Sequence, residues 1–333
     1  MLVVGIESSC DETAVALVKD GKEVVSSLVS SQIDIHKRFG GVVPEVAARA
    51  HLEALPSLWD EAMAGYKVSD LDGIAVTQGP GLIGALLVGV SFAKGLHQSS
   101  GVPLIPVNHV HAHLHGAFLG LEKEVQFPCL ALVVSGGHTN LYRMDHPLDF
   151  QLLAVSIDDA CGESFDKVAR LLKLGYPGGP VIEKQARLGH GQKIPMPKMM
   201  HGSGRFEFSY SGLKTHMMRL VHHSKESWEV PDLCDAFQEE ALGQIVRMVE
   251  NVLKQHSDLK TFVIAGGVAA NRRFRDMLEP LNVDVVAPKL EYCSDNAAMI
   301  AALGSEELKQ STKLDSSSDL EPFARYPYEN YWQ

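Results

Sequence analysis

The sequence is poor in cysteine, in positive charge and in long hydrophobic runs. Five cysteines occur in 333 residues, at positions 10, 129, 161, 234 and 293, and none is spaced C-x-x-C. That scattered, odd set excludes a disulfide framework and a cysteine-built zinc knot, and it fits a reducing compartment. Bases are outnumbered by acids, 30 to 41, giving a net charge of −11. Such a chain is not expected to hold nucleic acid unaided through its overall charge. The longest uncharged apolar-rich stretch, 81–93, is broken by glycines and too short to span a bilayer. Leu2-Val3-Val4 reads as a strand and not as a secretory leader, so a soluble, cytoplasmic protein with no membrane contact is expected. No G-x-x-x-x-G-K-[ST] phosphate loop and no G-x-G-x-x-G fingerprint occurs.

What is present is ordinary globular composition, 45% apolar and 21% charged. The length suits two domains, or two lobes of one fold, of about 150 residues each. The 29 glycines cluster in short loops. Leu2–Ile6 is a short apolar run, residues 7–13 form a small acidic turn, Ala14–Val18 resumes the apolar pattern, and Asp20-Gly21 signals a hairpin. Apolar residues at 43, 46, 47, 50, 55, 58 and 59 predict a helix over 42–63. Strands follow at 73–77 and 104–107, separated by the glycine turn 79–84 and a helix over 85–95. The second half opens in the same way. Strand 130–134, turn 135–139 and strand 140–143 echo residues 2–18, and a further strand–glycine–helix unit begins at Phe262. A helix is expected at 168–172 and a surface loop at 311–319. Two similar halves predict a duplicated α/β fold with a ligand cleft between lobes.

Three glycine turns follow strands, at 79–84, 135–137 and 265–267. Glycine lets backbone N–H groups approach an anion with no Cβ in the way, and three such turns favour a nucleotide-like ligand over tight packing alone. The run 108–115 alternates histidine with other residues. On a helix His109 and His113 share one face, as do His111 and His115, and either pair can ligate zinc or iron. Val110 stands where a zinc protease H-E-x-x-H motif needs its glutamate base. A metal at His109 and His113 needs a third ligand, and Asp295, at the start of an apolar helix, is the candidate; a plain helix-start acid is the alternative. Four acids lie between Asp158 and Lys167, and Asp166 can hold ligand hydroxyls with Gly178-Gly179-Pro180 as a close-approach turn. Asp11, Glu12 and, by the repeat, His138 are candidates for acid–base work or water positioning.

Charge is uneven. Between Lys184 and Lys225 eight basic residues (184, 187, 193, 198, 205, 214, 219 and 225) face one acid, Glu207. The window is either a docking patch for a polyanion or a solvated face.

Taken together, Gly5-Ile-Glu-Ser-Ser-Cys-Asp-Glu-Thr13, Gly40-Gly-Val-Val-Pro-Glu45, Gly79-Pro-Gly-Leu82, the His109/His113 pair, Ser135-Gly-Gly-His-Thr139 and Ser156-Ile-Asp-Asp159 resemble the TsaD-type tRNA N6-adenosine threonylcarbamoyltransferases. So do Phe165-Asp-Lys167, Tyr176-Pro-Gly-Gly-Pro180, Phe208-Ser-Tyr-Ser-Gly-Leu-Lys-Thr215, Ala265-Gly-Gly-Val268 with Asn271, and Ser294-Asp-Asn296. The motifs run in order from residue 1 to about 305. Ser8 stands where the family more often has Thr, and Glu183 where many members have Asp.

The resemblance implies an actin-like, sugar-kinase-like (ASKHA) duplicated two-lobe fold with an interlobe cleft. The lobes are expected at 1–107 and 108–304, the second carrying the metal and adenylate sites, with 305–333 returning to the first. It implies transfer of a threonylcarbamoyl group from threonylcarbamoyl-AMP to N6 of adenosine 37, in the anticodon loop of tRNAs reading codons that begin with A. His109, His113 and Asp295 match the ligands of one divalent metal, Fe2+ or Zn2+. Val133, Val134, Ser135, Gly136, Gly137, Asp166, Gly179, Glu183 and Asn271 match the adenylate-binding positions. The implied partners are tRNA and TsaB-like and TsaE-like proteins.

Overall fold

The computed structural model describes all residues except 122–123, 192–193, 200–205, 224–227, 311–319 and 326–333. The chain divides into two compact units, 1–125 with 288–333, and 126–287. This division differs from the expected lobes: His109, His113 and Asp295 all belong to the first unit. The reason is tertiary. The helix that follows residue 108 packs on the last described helix, and that helix lies on the first sheet.

The first unit is built on a five-stranded sheet. Its strands are β1 (Leu2–Glu7), β2 (Glu12–Lys19), β3 (Glu23–Ser31), β4 (Gly73–Gly79) and β5 (Leu104–Asn108), in the order β3-β2-β1-β4-β5. β1 to β3 form an antiparallel meander, and β4 and β5 run parallel to β1. β1 and β4 are apolar and buried almost throughout, as strands covered on both faces must be. The edge strand β3 alternates half-buried and exposed residues. Asp20 and Gly21 both take positive φ, 56° and 75°, as the tight β2–β3 turn requires.

Helices α1 (Ile33–His36), α2 (Pro44–Ala62), α3 (Ile83–Ser100), α4 (His109–Gly116) and, from the chain's end, α10 (Ala297–Gln310) complete the unit. Leu55 of α2 and Val90 and Ala93 of α3 bury against Val4, Ile6, Val15 and Val76 of the sheet. α10 lies against the sheet at two glycines. A Cβ on Gly5 would stand 2.1 Å from the Ala297 carbonyl oxygen, and one on Gly304 would stand 2.5 Å from Ala75 Cβ. That close approach fixes the start of α10, and with it Asp295.

The second unit repeats the plan. β6 (Cys129–Val134), β7 (Thr139–Met144) and β8 (Gln151–Ser156) form the meander, and β10 (Thr261–Ala265) and β11 (Asp284–Val286) run parallel to β6. β9 (Glu207–Phe208) adds a parallel edge beside β8. Helices α5 (Cys161–Leu171), α6 (Gly178–Ala186), α7 (Ser211–His223), α8 (Val230–Gln255) and α9 (Arg272–Leu278) accompany the sheet. α5 starts seven residues before the expected Val168. Its first turns are polar, and they are anchored by the Thr139 hydroxyl, which accepts the Cys161 N–H at 2.8 Å. Glu163 also accepts the Ala160 N–H, at 3.4 Å.

Asp158 ties β9 to α7. Its Oδ1 accepts the Tyr210 and Ser211 N–H groups at 2.7 and 3.3 Å, and its Oδ2 accepts both the Ser209 and Ser211 hydroxyls at 2.6 Å. Burial alone would raise its pKa, but these hydrogen bonds outweigh burial and hold the carboxyl below the ordinary range. Asp158→Ala is therefore expected to cost about 1 kcal/mol at neutral pH, the size of a lost helix cap. Because the folded pKa is depressed, this contribution is present above the unfolded value of about 4 and is lost as pH falls through the lower folded value. Urea unfolding of both proteins across that range measures it. A gap that persists unchanged in strong acid contradicts the assignment.

Candidate metal centre and ligand-binding loops

The histidines are helical, as expected. Asn108 caps α4: its side-chain oxygen accepts the Val110 and His111 N–H groups at 2.9 and 3.1 Å. His109 and His113 then share one face, with ring centroids 4.8 Å apart. Asp295, two residues before α10, reaches the same spot, its Oδ1 lying 3.7 Å from His109 Nε2 and 3.3 Å from His113 Nε2. One donor atom from each residue lies within 4.8 Å of the others. The alternative pair, His111 and His115, gathers no third donor among the described residues. Burial first, and then the neighbouring His115, push His111 down to about 3, so it is neutral.

Two features fit this trio to a metal. His113 is 1% exposed, yet neither of its ring nitrogens makes a hydrogen bond. Stranding buried polar atoms in this way costs about 1–3 kcal/mol each unless a ligand satisfies them. The second feature is Glu7, a fully buried carboxylate at the end of an apolar strand. Its Oε2 lies 3.0 Å from His109 Nδ1 and accepts the Thr77 hydroxyl at 2.6 Å, and its Oε1 accepts the Ser9 N–H. Burial alone would raise the Glu7 pKa, but the charge and hydrogen bond of His109 outweigh it and leave it lowered. Facing a carboxylate, Nδ1 carries the proton, and Nε2 is turned towards Asp295. That is the usual support of a metal-ligating histidine. Without a cation the imidazole holds a second proton. Burial opposes this, but Glu7 and Asp295 outweigh it and raise the His109 pKa to about 9. Two nitrogens and one carboxylate suit Zn2+ or Fe2+ and leave positions free for a substrate.

The acidic turn lies in the same unit. Asp11 is 7% exposed. Glu12 is pushed up to about 9, first by burial and then by the Asp295 and Asp11 carboxylates. The 79–84 turn, expected to contact a ligand, is filled by protein instead. The Gly81 N–H donates to Ala324 O at 3.3 Å and the Leu82 N–H to Ser9 O at 2.8 Å, while Gly79 packs against Phe323.

The other two turns lie in the second unit and leave room. The Ser135 N–H donates to His138 O at 2.8 Å, and the His138 N–H to Ser135 Oγ at 3.2 Å, which closes the turn after Val133 and Val134. Gly162 and Gly266 are packing glycines, pressed against Ser135 and Val134. An added Cβ at Gly136, Gly137, Gly179 or Gly267 would instead meet nothing within 4 Å. Asp166 on α5 accepts the Gly178 N–H at 2.6 Å and so fixes the start of α6. Glu183 accepts the Arg272 N–H at 3.2 Å and pairs with Arg187, which brings α6 and α9 together. Asn271 spends one side-chain oxygen contact on the Phe274 N–H at 2.9 Å and one N–H on Gln238 at 2.9 Å. One more amide N–H and an oxygen lone pair remain.

Sequence reasoning missed Glu7, Thr77 and Gln238. The one available signal was a lone carboxylate closing a buried strand. Of the basic window, Lys193, Arg205 and Lys225 lie outside the described residues. Arg187 and Lys214 are paired with Glu183 and Asp159, and Arg219 lines a surface pocket with Ser211, Thr215 and His216.

Glu7→Gln keeps the size but puts an amide against His109 Nδ1. It is expected to weaken Zn2+ binding about 10–100-fold, as lost support of a metal-ligating histidine does. Equilibrium dialysis of the full chain reads this. Unchanged affinity in this variant would remove Glu7 from the centre, and stoichiometric zinc in His113→Ala would remove the centre itself.

The family model for TsaD, tRNA N6-adenosine threonylcarbamoyltransferase, matches residues 23–302. The chain is 46% identical to the tRNA N6-adenosine threonylcarbamoyltransferase of Bacillus subtilis, over 91% of this chain and 90% of that protein. It is 46% identical to the enzyme of that name from Fusobacterium nucleatum, over 93% and 92%. Among solved structures, the ROK hexokinase of Thermus thermophilus shares the fold at 15% identity, with a TM-score of 0.53 over 93% of this chain and all of that one. The duplicated sheets are thus the actin-like, sugar-kinase-like fold, and the chain belongs to the TsaD family of tRNA N6-adenosine threonylcarbamoyltransferases.

Proposed function

We propose that this chain transfers a threonylcarbamoyl group from threonylcarbamoyl-AMP to N6 of adenosine 37, in tRNAs reading codons that begin with A. The family match over residues 23–302 carries the reading. The exocyclic amine attacks the carbamoyl carbon, the bond to the phosphate oxygen breaks, AMP leaves, and the surplus proton on N6 passes to a base. The donor is already activated, so the protein needs no nucleophile of its own. It has to hold the donor, orient the amine and keep water away.

The second unit holds the donor. Gly136, Gly137, Gly179 and Gly267 leave space beside backbone N–H groups, and Asp166, Glu183 and Asn271 offer polar contacts to the nucleoside. His109, His113 and Asp295 would hold one Fe2+ or Zn2+, which when bound would supply Lewis-acid polarisation. Asp11 and Glu12 handle the N6 proton, with His138 as their counterpart in the repeat. The target base leaves the anticodon-loop stack to be reached.

The basic window 184–225 faces the tRNA, and a TsaB-like and a TsaE-like protein assist. An apolar groove of Leu52, Leu55, Pro56, Leu87, Val88 and Phe92 between α2 and α3 supports a protein partner. No described helix is long and apolar enough to cross a membrane, and the five cysteines are free, which fits a reducing cytoplasm.

Mass spectrometry of digested tRNA, after incubation of the metal-loaded protein with threonylcarbamoyl-AMP, is expected to show the modified adenosine. Its absence with and without both partner proteins would contradict the reading. Asp166→Ala strands the Gly178 N–H and removes a donor contact. A loss of about 1–3 kcal/mol in binding a non-hydrolysable adenylate analogue is expected, and calorimetry that finds none removes Asp166 from the site. Reversing Lys198 and Arg219 to Glu is expected to weaken tRNA binding and to flatten its salt dependence by about one unit of slope per lost phosphate contact. Unchanged binding would make the window a solvated surface.

A further inference from the structure

The motif Gly40-Gly-Val-Val-Pro-Glu45 has no part in the metal or donor sites, yet a buried chain of hydrogen bonds leads from it to the acidic turn. The Val43 N–H lies 3.3 Å from His36 Nδ1, and His36 Nε2 lies 3.1 Å from Gln32 Oε1. Gln32 Nε2 lies 3.4 Å from His51 Nδ1, and His51 Nε2 lies 3.0 Å from Cys10 O. The two ends settle every direction. A backbone N–H can only donate, so His36 Nδ1 accepts and its Nε2 carries the proton. A backbone carbonyl can only accept, so His51 Nε2–H donates; the amide nitrogen of Gln32 can only donate, so His51 Nδ1 is the acceptor, its one lone pair taken by the Thr13 hydroxyl at 2.7 Å and shared with the Gln32 amide, which also donates to Ala47 O at 3.4 Å. Both imidazoles are therefore neutral Nε2–H tautomers. Burial depresses the His51 pKa against the opposing pull of the Cys10 carbonyl, Glu7 and Asp11, in keeping with this.

Gln32 is 3% exposed, and His36, His51 and Thr13 are fully buried. Buried polar groups on this scale are retained only when each is satisfied, and a fully satisfied network is rigid. Gln32 also ties to the turn through its backbone, its N–H donating to Asp11 O at 2.9 Å. The relay thus begins at the 40–43 loop and ends on the carbonyls of Cys10 and Asp11, the peptides that lead to Asp11 and to Glu12.

We propose that His36, Gln32 and His51 are positioning residues, a hydrogen-bond relay through which the Gly40–Val43 loop holds the Cys10–Glu12 turn where its carboxyls act. The proposal rests on the proton-handling role given above to Asp11 and Glu12. None of the three touches the metal trio or the donor-binding residues, so their loss alters the rate of the chemical step and leaves binding in place.

The sharpest test is at the far end. His36→Leu does not touch the turn, yet it is expected to speed amide hydrogen exchange in residues 9–13 at least about tenfold in the substrate-free full chain, because local opening free energy tracks the bonds that close a segment. In threonylcarbamoyl transfer to tRNA, kcat is expected to fall about tenfold, the cost of a small misplacement, with the KM for threonylcarbamoyl-AMP and the zinc content unchanged. Should His36→Leu fail to fold, Gln32→Met breaks the relay at nearly constant volume and is read in the same way. His51→Gln, which can still donate to Cys10 O, is expected to keep most of kcat where His51→Leu does not. Exchange changes confined to residues 36–45, or equal losses in both His51 variants, would overturn the proposal. A wild-type protein without transferase activity would refute the function instead, and the exchange result would still decide the relay.

Discussion

A single buried carboxylate sets the chemistry of the first unit. Glu7 is fully buried at the end of β1, and its hydrogen bond to His109 Nδ1 decides which nitrogen faces Asp295. A lone ionised group in a strand is expensive to bury, so Glu7 is surrounded by the Thr77 hydroxyl, the Ser9 N–H and the imidazole. The rest of the unit keeps this arrangement in register. β4 brings Thr77, α4 carries both histidines on one face, and α10 is drawn onto the sheet at Gly5 so that Asp295 meets them.

The second unit applies the same sheet plan to a different task. Its β6–β7 turn corresponds to the acidic β1–β2 turn of the first unit, but it is small, glycine-rich and uncharged. Where the first unit fills the space at Gly79 with Phe323 and at Gly81 with Ser9, an added Cβ at Gly136, Gly137, Gly179 or Gly267 of the second would meet nothing within 4 Å. One duplicated scaffold thus carries a candidate cation site beside an acidic turn in one half and open glycine turns in the other.

Much of this was legible in the sequence, and the failures share a cause. β1 and β6 announce themselves as short apolar runs because strands covered on both faces must be apolar throughout. The His109/His113 pair is local, fixed by helical spacing, and Asp295 stands out as an acid opening an apolar helix. Glu7 was missed because its partner is 102 residues away. The 79–84 turn was misread because the residue that fills it, Phe323, comes from the far end of the chain. The start of α5 was missed although Cys161, Phe165 and Val168 are buried at helical spacing, because the acids and small residues between them read as a polar turn. The boundary near 107 failed in the same way: α4 belongs to the first unit through its packing on α10, a contact between distant segments.

The central claim is that one divalent ion is held by two imidazole nitrogens and one carboxylate. X-ray absorption at the zinc edge of the zinc-loaded full chain tests it most directly. The expected spectrum has only nitrogen and oxygen neighbours, at about 2.0–2.2 Å, with outer-shell scattering from two imidazole rings. A sulfur neighbour at about 2.3 Å, which would bring in Cys10, or scattering from one ring or none, would contradict the account.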